Sequence, residues 1–188
     1  MNKKRNLIIT FVILLFVAAV GSAQAQEKYI DKSGTLIFEA SEELFEPVKA
    51  VNESVTVILN TATNEIASLA LVKSFRFKNS LMEEHFNENY IESETYPKAT
   101  FKGKLIGFDM NSLTESESEI TIVGTLKLHG KEKEINTALM VSRSGEAIHL
   151  KGSFTVTPED FDIDIPNVVK NKIAKEIIVF LDFNLVKK

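Results

Sequence analysis

The sequence predicts an all-β fold with one short packed helix, and two patterns carry that expectation. About eight segments alternate apolar and polar residues, and a single segment repeats its apolar residues at helical spacing. The alternation is clearest in Ile120-Thr121-Ile122-Val123-Gly124-Thr125-Leu126-Lys127-Leu128, where even positions are apolar or Gly and odd positions mostly polar. The chain has thirteen Phe and no Trp, and Phe side chains supply the core. Strands with almost no helix between them point to an antiparallel barrel or sandwich.

The elements follow in order. Residues 1–25 are set apart: Lys3, Lys4 and Arg5 precede an apolar run from Leu7 to Val20, and Ala23-Gln24-Ala25 closes it. A basic start, a short apolar stretch and an A-x-A exit predict a secretory signal peptide cleaved after Ala25, because a spanning helix needs roughly 20 apolar residues. The domain then runs over 26–188, a size that one core can serve. Alternation marks strands over Thr35 to Ala40, Ser54 to Asn60 and Ile66 to Phe77. It returns over Phe101 to Leu105, Ile120 to Leu128, Glu134 to Val141, Ala147 to Val156 and Glu176 to Val186. Thr63-Asn64 and Ser144-Gly145 have the composition of tight turns.

Between the third and fourth of these segments the period changes. Ser80-Leu81-Met82-Glu83 has the pattern of a capping box, which predicts a helix of about three turns starting at Ser80. Met82, Phe86 and Tyr90 recur every four residues and form one apolar stripe. A weaker helical segment is expected over Val168 to Ala174, leading into the last strand.

Composition narrows the function. The chain has a formal net charge of −4, and loss of Lys3, Lys4 and Arg5 with the leader would leave it more acidic still. That disfavours nucleic acid and anionic lipid surfaces as partners. There is no cysteine, so neither a disulfide nor a lipidated cysteine is available, and the core alone must hold the fold. An outer-membrane barrel fits poorly, because such barrels carry aromatic girdles and this chain has three Tyr and no Trp.

No chemistry-bearing motif stands out. His85, His129 and His149 are far apart in sequence and show no metal-ligand spacing. His129 opens a Gly-containing turn, and His149 alternates with Lys151 on a polar strand face. Glu84 and His85 would make an acid-base pair only beside an activated nucleophile, and none is evident. Asp160-Phe161-Asp162-Ile163-Asp164-Ile165 opens like a calcium loop, but position six is Ile165 where Gly is needed and position twelve is Asn171 where Glu is needed. An extended segment with its acids in water and Phe161, Ile163 and Ile165 inward is expected there. Asn52-Glu53-Ser54 is a glycosylation sequon.

Gly103, Gly124 and Gly152 share the parity of the buried positions in their strands. Either three strands bend sharply at these points, or they leave space inside the barrel. A barrel of eight strands is about wide enough to hold one small ligand.

Four segments resemble one family. Tyr96-Pro97-Lys98-Ala99-Thr100-Phe101 is similar to the aromatic-Pro-x-Ala-x-Phe lead-in to a central strand of the YceI-like proteins. Gly124-Thr125-Leu126-Lys127-Leu128-His129-Gly130 is similar to their Gly-x-Leu-x-Leu-His-Gly hairpin. Glu84-His85-Phe86 resembles their Glu-His-Leu helix, and Glu159-Asp160-Phe161 their acidic-Asp-Phe segment. The sequence departs at Asp162, where Gly is usual, at Lys131, where a small apolar residue is frequent, and in Gly34 to Phe38, which lacks the usual histidine. The resemblance implies an extended, lipocalin-like antiparallel barrel with a helix by its mouth, and for some members a periplasmic carrier holding an isoprenoid chain.

The expectation is therefore a periplasmic or secreted binding protein, not an enzyme, that carries a long apolar molecule such as a polyisoprenoid lipid or a quinone tail. It needs no cofactor and no metal, and a homodimer is open. The expected ligand contacts are Phe38, Phe77, Met82, Phe86, Phe101, Gly103, Leu105, Gly124, Leu126, Leu139, Leu150, Gly152, Phe154 and Phe183. Two rivals remain: a barrel filled by its own side chains that serves as a protein-interaction module, and a lipid-modifying enzyme using Glu84 and His85.

Overall fold

The computed structural model describes residues 27–42 and 45–188; the segment read as a signal peptide lies outside them. Nine strands form: β1 (Lys28–Ser41), β2 (Lys49–Asn60), β3 (Glu65–Leu71), β4 (Arg76–Phe77), β5 (Lys98–Ile106), β6 (Ser118–Leu128), β7 (Lys131–Ser144), β8 (Ala147–Val156) and β9 (Ile173–Lys187). Their order is β1-β9-β8-β7-β6-β5-β3-β2, and pairing of β1 with β2 closes the ring into an antiparallel barrel of eight strands. The two-residue β4 adds to β2 outside the ring.

Turn chemistry fixes the hairpins. His129 and Gly130 both have positive φ, 48° and 73°, as a type I′ turn between β6 and β7 demands. Asn64 (φ 58°) and Gly145 (φ 60°) hold the two other tight turns, where their composition predicts them.

β1 and β2 share a kinking device. Asp31 Oδ1 accepts from the Ser33 amide at 2.8 Å, and Oδ2 accepts from the Asn184 amide at 2.8 Å, beside a register shift in β1. In β2, Asn52 Oδ1 accepts from the Ser54 amide at 3.0 Å and hydroxyl at 2.9 Å, while its Nδ2 donates to Leu71 O at 3.1 Å. Asn52 is completely buried, so the sequon has no acceptor on the folded surface.

Four local expectations are corrected. The segment Ile66 to Phe77 is interrupted by a 3-10 turn at Val72–Ser74, where the Val72 amide donates to Pro97 O at 3.0 Å. The helix, α1 (Ser80–His85), is capped one residue early: Asn79 Oδ1 accepts from the amides of Leu81 and Met82 at 2.9 and 3.4 Å. Glu83 is consequently out of capping-box register. It accepts from the Phe77 amide at 3.1 Å and from the Arg76 guanidinium at 2.6 Å, tying the helix to β4. A π-turn over Phe86–Tyr90 continues the helix.

No helix forms over Val168 to Ala174. Two successive turns stand there, Val169 N to Pro166 O at 3.0 Å and Lys172 N to Val169 O at 2.8 Å, before β9 begins. Nor is the acidic segment extended. Thr157 and Asp160 cap a 3-10 turn at Pro158–Phe161 reciprocally, with Thr157 N to Asp160 Oδ2 at 2.8 Å and Asp160 N to Thr157 Oγ1 at 3.3 Å. Thr-Pro-x-Asp is a readable capping signature with Pro at the first helical position. The acids are not simply solvated: Asp160 pairs with Lys133 and Asp162 with Lys131.

The interior divides along the barrel axis. At the end where β2 meets β3 and β7 meets β8, Tyr29, Leu59, Leu105, Val141, Ile148 and Leu185 form a buried floor, with Phe108 packed in from the β5–β6 connection. The opposite end carries residues 45–48 and the connections 72–97 and 157–172. That end is hollow.

Candidate functional site: an apolar cavity at the barrel mouth

A cavity of about 340 Å³ occupies the hollow end. The strands give it Leu36, Phe38 and Ala40 of β1, Leu126 and Leu128 of β6, Phe154 and Val156 of β8, and Ile173, Ile177 and Val179 of β9. The helical segment covers one side with Met82, His85, Phe86, Tyr90 and Ile91, so the stripe read from the sequence faces the cavity. The other side is the 157–172 connection, which contributes Thr157, Pro158, Phe161, Ile163, Ile165, Val169 and Lys172. Phe161, Ile163 and Ile165 do point inward as their alternation predicts.

Phe86 seats the helix. Its ring lies 5.3 Å from that of Phe38, 5.2 Å from Phe77 and 6.2 Å from Phe75, centroid to centroid, within the range of favourable aromatic contact. Each such pair contributes roughly 0.5–1.5 kcal/mol beyond the area it buries.

Below the main cavity lies a smaller one of about 60 Å³, lined among others by Phe101, Ile122, Leu139, Leu181 and Phe183. Leu36, Leu126 and Phe154 line both, so these three side chains form the partition between them.

The expected ligand contacts sort into five groups, the glycines being the last. Phe38, Met82, Phe86, Leu126 and Phe154 line the main cavity, and Phe101, Leu139 and Phe183 line the small one. Phe77 stands behind the wall, against Phe38 and Phe86. Leu105 and Leu150 are buried in the packed core and line neither space.

The glycines are a correction. Gly103 and Gly124 are register partners across β5 and β6, and the Phe101 ring covers both: a Cβ on Gly103 would stand 2.7 Å from Phe101 Cζ and one on Gly124 2.5 Å from it. A Cβ on Gly152 would stand 2.6 Å from Leu139 Cδ2. None of the three opens onto free space; at Gly103 and Gly124 glycine is needed for close approach of a ring and a neighbouring strand, whereas at Gly152 the nearest atom is the end of the Leu139 side chain.

Sequence reasoning missed two things. The first is the extent to which the 157–172 connection and the start of β9 form the wall. The second is His129. Its ring is largely enclosed, with Nδ1–H donating to Phe161 O at 2.9 Å, Nε2 lying 3.0 Å from Glu92 Oε2, and the Tyr96 ring 4.4 Å away. One imidazole thereby joins the β6–β7 turn to both connections that wall the cavity. A turn residue with an apolar neighbour on each side gives no such signal.

Electrostatically the site is quiet. Among the described residues no carboxylate lines the cavity, and no group of three His, Asp or Glu is placed to hold a metal ion. Glu84 is exposed and is absent from the lining, so it does not join His85 there. At the rim Asp160 is the perturbed acid. Desolvation works to raise its pKa, but hydrogen bonds from Lys133 and from the Thr157 amide and hydroxyl outweigh it and hold the carboxyl below its ordinary value.

Known structures share this architecture. A polyisoprenoid-binding domain from Saccharophagus degradans implicated in plant cell wall breakdown superposes with a TM-score of 0.73 at 18% identity, covering 86% of this chain and 98% of that one. Burkholderia cenocepacia BcnA superposes with a TM-score of 0.65 at 16% identity over 81% of this chain and 96% of that one. The Campylobacter jejuni YceI protein does so at 0.53 and 14% identity, over 72% and 80%. At these identities the likeness shows the fold. No curated protein sequence matches the chain. The YceI-like domain profile matches residues 29–185, nearly the whole barrel, and the chain belongs to that family.

Proposed function

We propose that this protein is a binding protein that takes an apolar chain, such as an isoprenoid or quinone tail, into the cavity at the barrel mouth, and that it works in the periplasm or as a secreted carrier. The observation that supports this most is the lining itself: about 340 Å³ walled by aliphatic and aromatic side chains, open at one end and floored at the other. Burial of a chain there at about 25 cal/mol per Å² gives a few kcal/mol per isoprene unit without any polar partner. The volume falls within the usual range of ligand pockets. It is finite, so it limits the length of chain that can be buried. A longer chain would have to emerge from the mouth or displace the partition of Leu36, Leu126 and Phe154.

The fold relative from S. degradans, a polyisoprenoid-binding domain, supports the same class of ligand. The leader-like residues 1–25 support export. The packed floor favours a second reading for the lower half of the barrel alone, where the core is filled by its own side chains.

Native mass spectrometry of detergent-free protein, followed by organic extraction, tests the proposal. A discrete apolar molecule released on unfolding is the expected result. Protein that carries nothing, and that fails to take up a fluorescent apolar chain, would overturn it.

A further inference from the structure

The lining of the cavity is asymmetric in charge. Among the described residues it holds no Asp or Glu and a single fixed cation, Lys172. Lys172 lines the cavity yet is exposed, so it stands at the rim. Its root is fixed: the Lys172 amide donates to Val169 O at 2.8 Å, and the next residue, Ile173, pairs with Ser41 of β1. A four-carbon stem anchored at that point can lie along apolar surface and carry its ammonium across the opening.

Three of the acids around the mouth are already paired. The acids of the facing turn, Asp160 and Asp162, are engaged by Lys133 and Lys131. Glu83 of the helix is engaged by Arg76. Lys172 takes part in none of the ion pairs among the described residues, and exposed Lys170 and Lys175 flank it. An apolar interior whose lining carries one fixed cation and no acid fits an amphiphile better than a neutral hydrocarbon.

We infer that the ligand is a single-chain amphiphile with an anionic head, a carboxylate or a phosphate, whose chain fills the cavity and whose head is held by Lys172. This rests on the apolar-cavity reading above and adds the head group to it. A charge-assisted hydrogen bond at a partly desolvated rim is stronger than one between neutral groups, and it would fix which end of the chain enters first.

The test compares heads at constant tail on the purified protein, by displacement of a fluorescent apolar probe at low ionic strength. The pairs are dodecanoate against dodecanol and farnesyl phosphate against farnesol. The anionic member of at least one pair is expected to bind about tenfold tighter than its alcohol, a preference that shrinks in high salt. Lys172→Gln should reduce that preference to within about twofold, and Lys172→Arg should keep it. The pair with the larger ratio identifies the head as carboxylate or phosphate. Equal binding of acid and alcohol by the native protein, or a preference that survives Lys172→Gln, would overturn the inference and leave the apolar cavity standing. Failure of the alcohols and the acids alike would overturn both.

Discussion

The ring of Phe101 lies across Gly124 on the neighbouring strand, with Cζ 2.5 Å from where a β-carbon would be and Lys102 O 2.4 Å from the same point. Inward glycine here records a strand with an aromatic lid, not a gap. Gly124→Ala should therefore destabilise the protein by about 1–3 kcal/mol, because overpacking of a tight interior costs that much. Urea unfolding measures it. Combining the change with Phe101→Leu should restore little, since the backbone carbonyl of Lys102 cannot retreat as a side chain can. Full rescue by Phe101→Leu would show that the ring alone excludes the β-carbon.

His129 bridges the turn at 129–130, the loop holding Glu92 and the carbonyl of Phe161. His129→Ala should loosen the two connections that wall the cavity while the β-ladders persist. The expected loss is about 1–3 kcal/mol, the cost of leaving the buried Phe161 carbonyl without its donor, since exposed Glu92 can turn to water. Hydrogen exchange should accelerate around Tyr90 to Tyr96 and Pro158 to Phe161 far more than in β7. Uniform acceleration across the barrel would show a global role instead.

Much of this architecture can be read from residue order. The alternation places all eight barrel strands, and Asn64 and Gly145 mark their turns, because the two-residue period and positive φ are local properties. The Met82, Phe86, Tyr90 stripe likewise announces a covered face. What cannot be read is register. Gly103 and Gly124 become meaningful only when paired across β5 and β6, with Phe101 two residues away on the same face. Inward parity is equally silent on which half of the barrel is solid: Leu105 and Leu150 sit in the packed core and Leu126 at the cavity, with nothing in their own segments to separate them. The cavity exists because the long connections arch over one end, and that is a property of the closed ring.

Asp160 links the rim to pH. Its carboxyl accepts from the Thr157 amide and pairs with Lys133, so its pKa in the folded state lies below that of the unfolded chain. Such a group stabilises the fold above the unfolded value, near 3.8, and its contribution disappears as pH falls through the lower folded value. Asp160→Asn should cost about 0.5–2 kcal/mol at pH 7, in line with loss of a capping carboxylate. The gap between native and variant melting temperatures should narrow from pH 6 to pH 3. A gap that widens on acidification would contradict the assigned sign.

Phe154 should decide how long a chain the proposed binding cavity accepts. With Leu36 and Leu126 it separates the 340 Å³ cavity from the 60 Å³ one beneath it. Phe154→Ala should join the two and add the volume of the lost ring, allowing several more methylenes to be buried at about 0.8 kcal/mol each. The same deletion removes packing, and large-to-small core changes of this kind cost about 3–5 kcal/mol when fully buried. Because Phe154 is only half-buried, the loss should fall at or below the lower end of that range. Affinity measured against saturated chains of increasing length should plateau earlier in the native protein than in the variant. A parallel substitution, Leu150→Ala, serves as the comparison: it lies in the packed core and should lower stability without moving the plateau. If the plateau stays in place for Phe154→Ala while the variant remains folded, the partition does not limit the chain, and the second cavity is no continuation of the first.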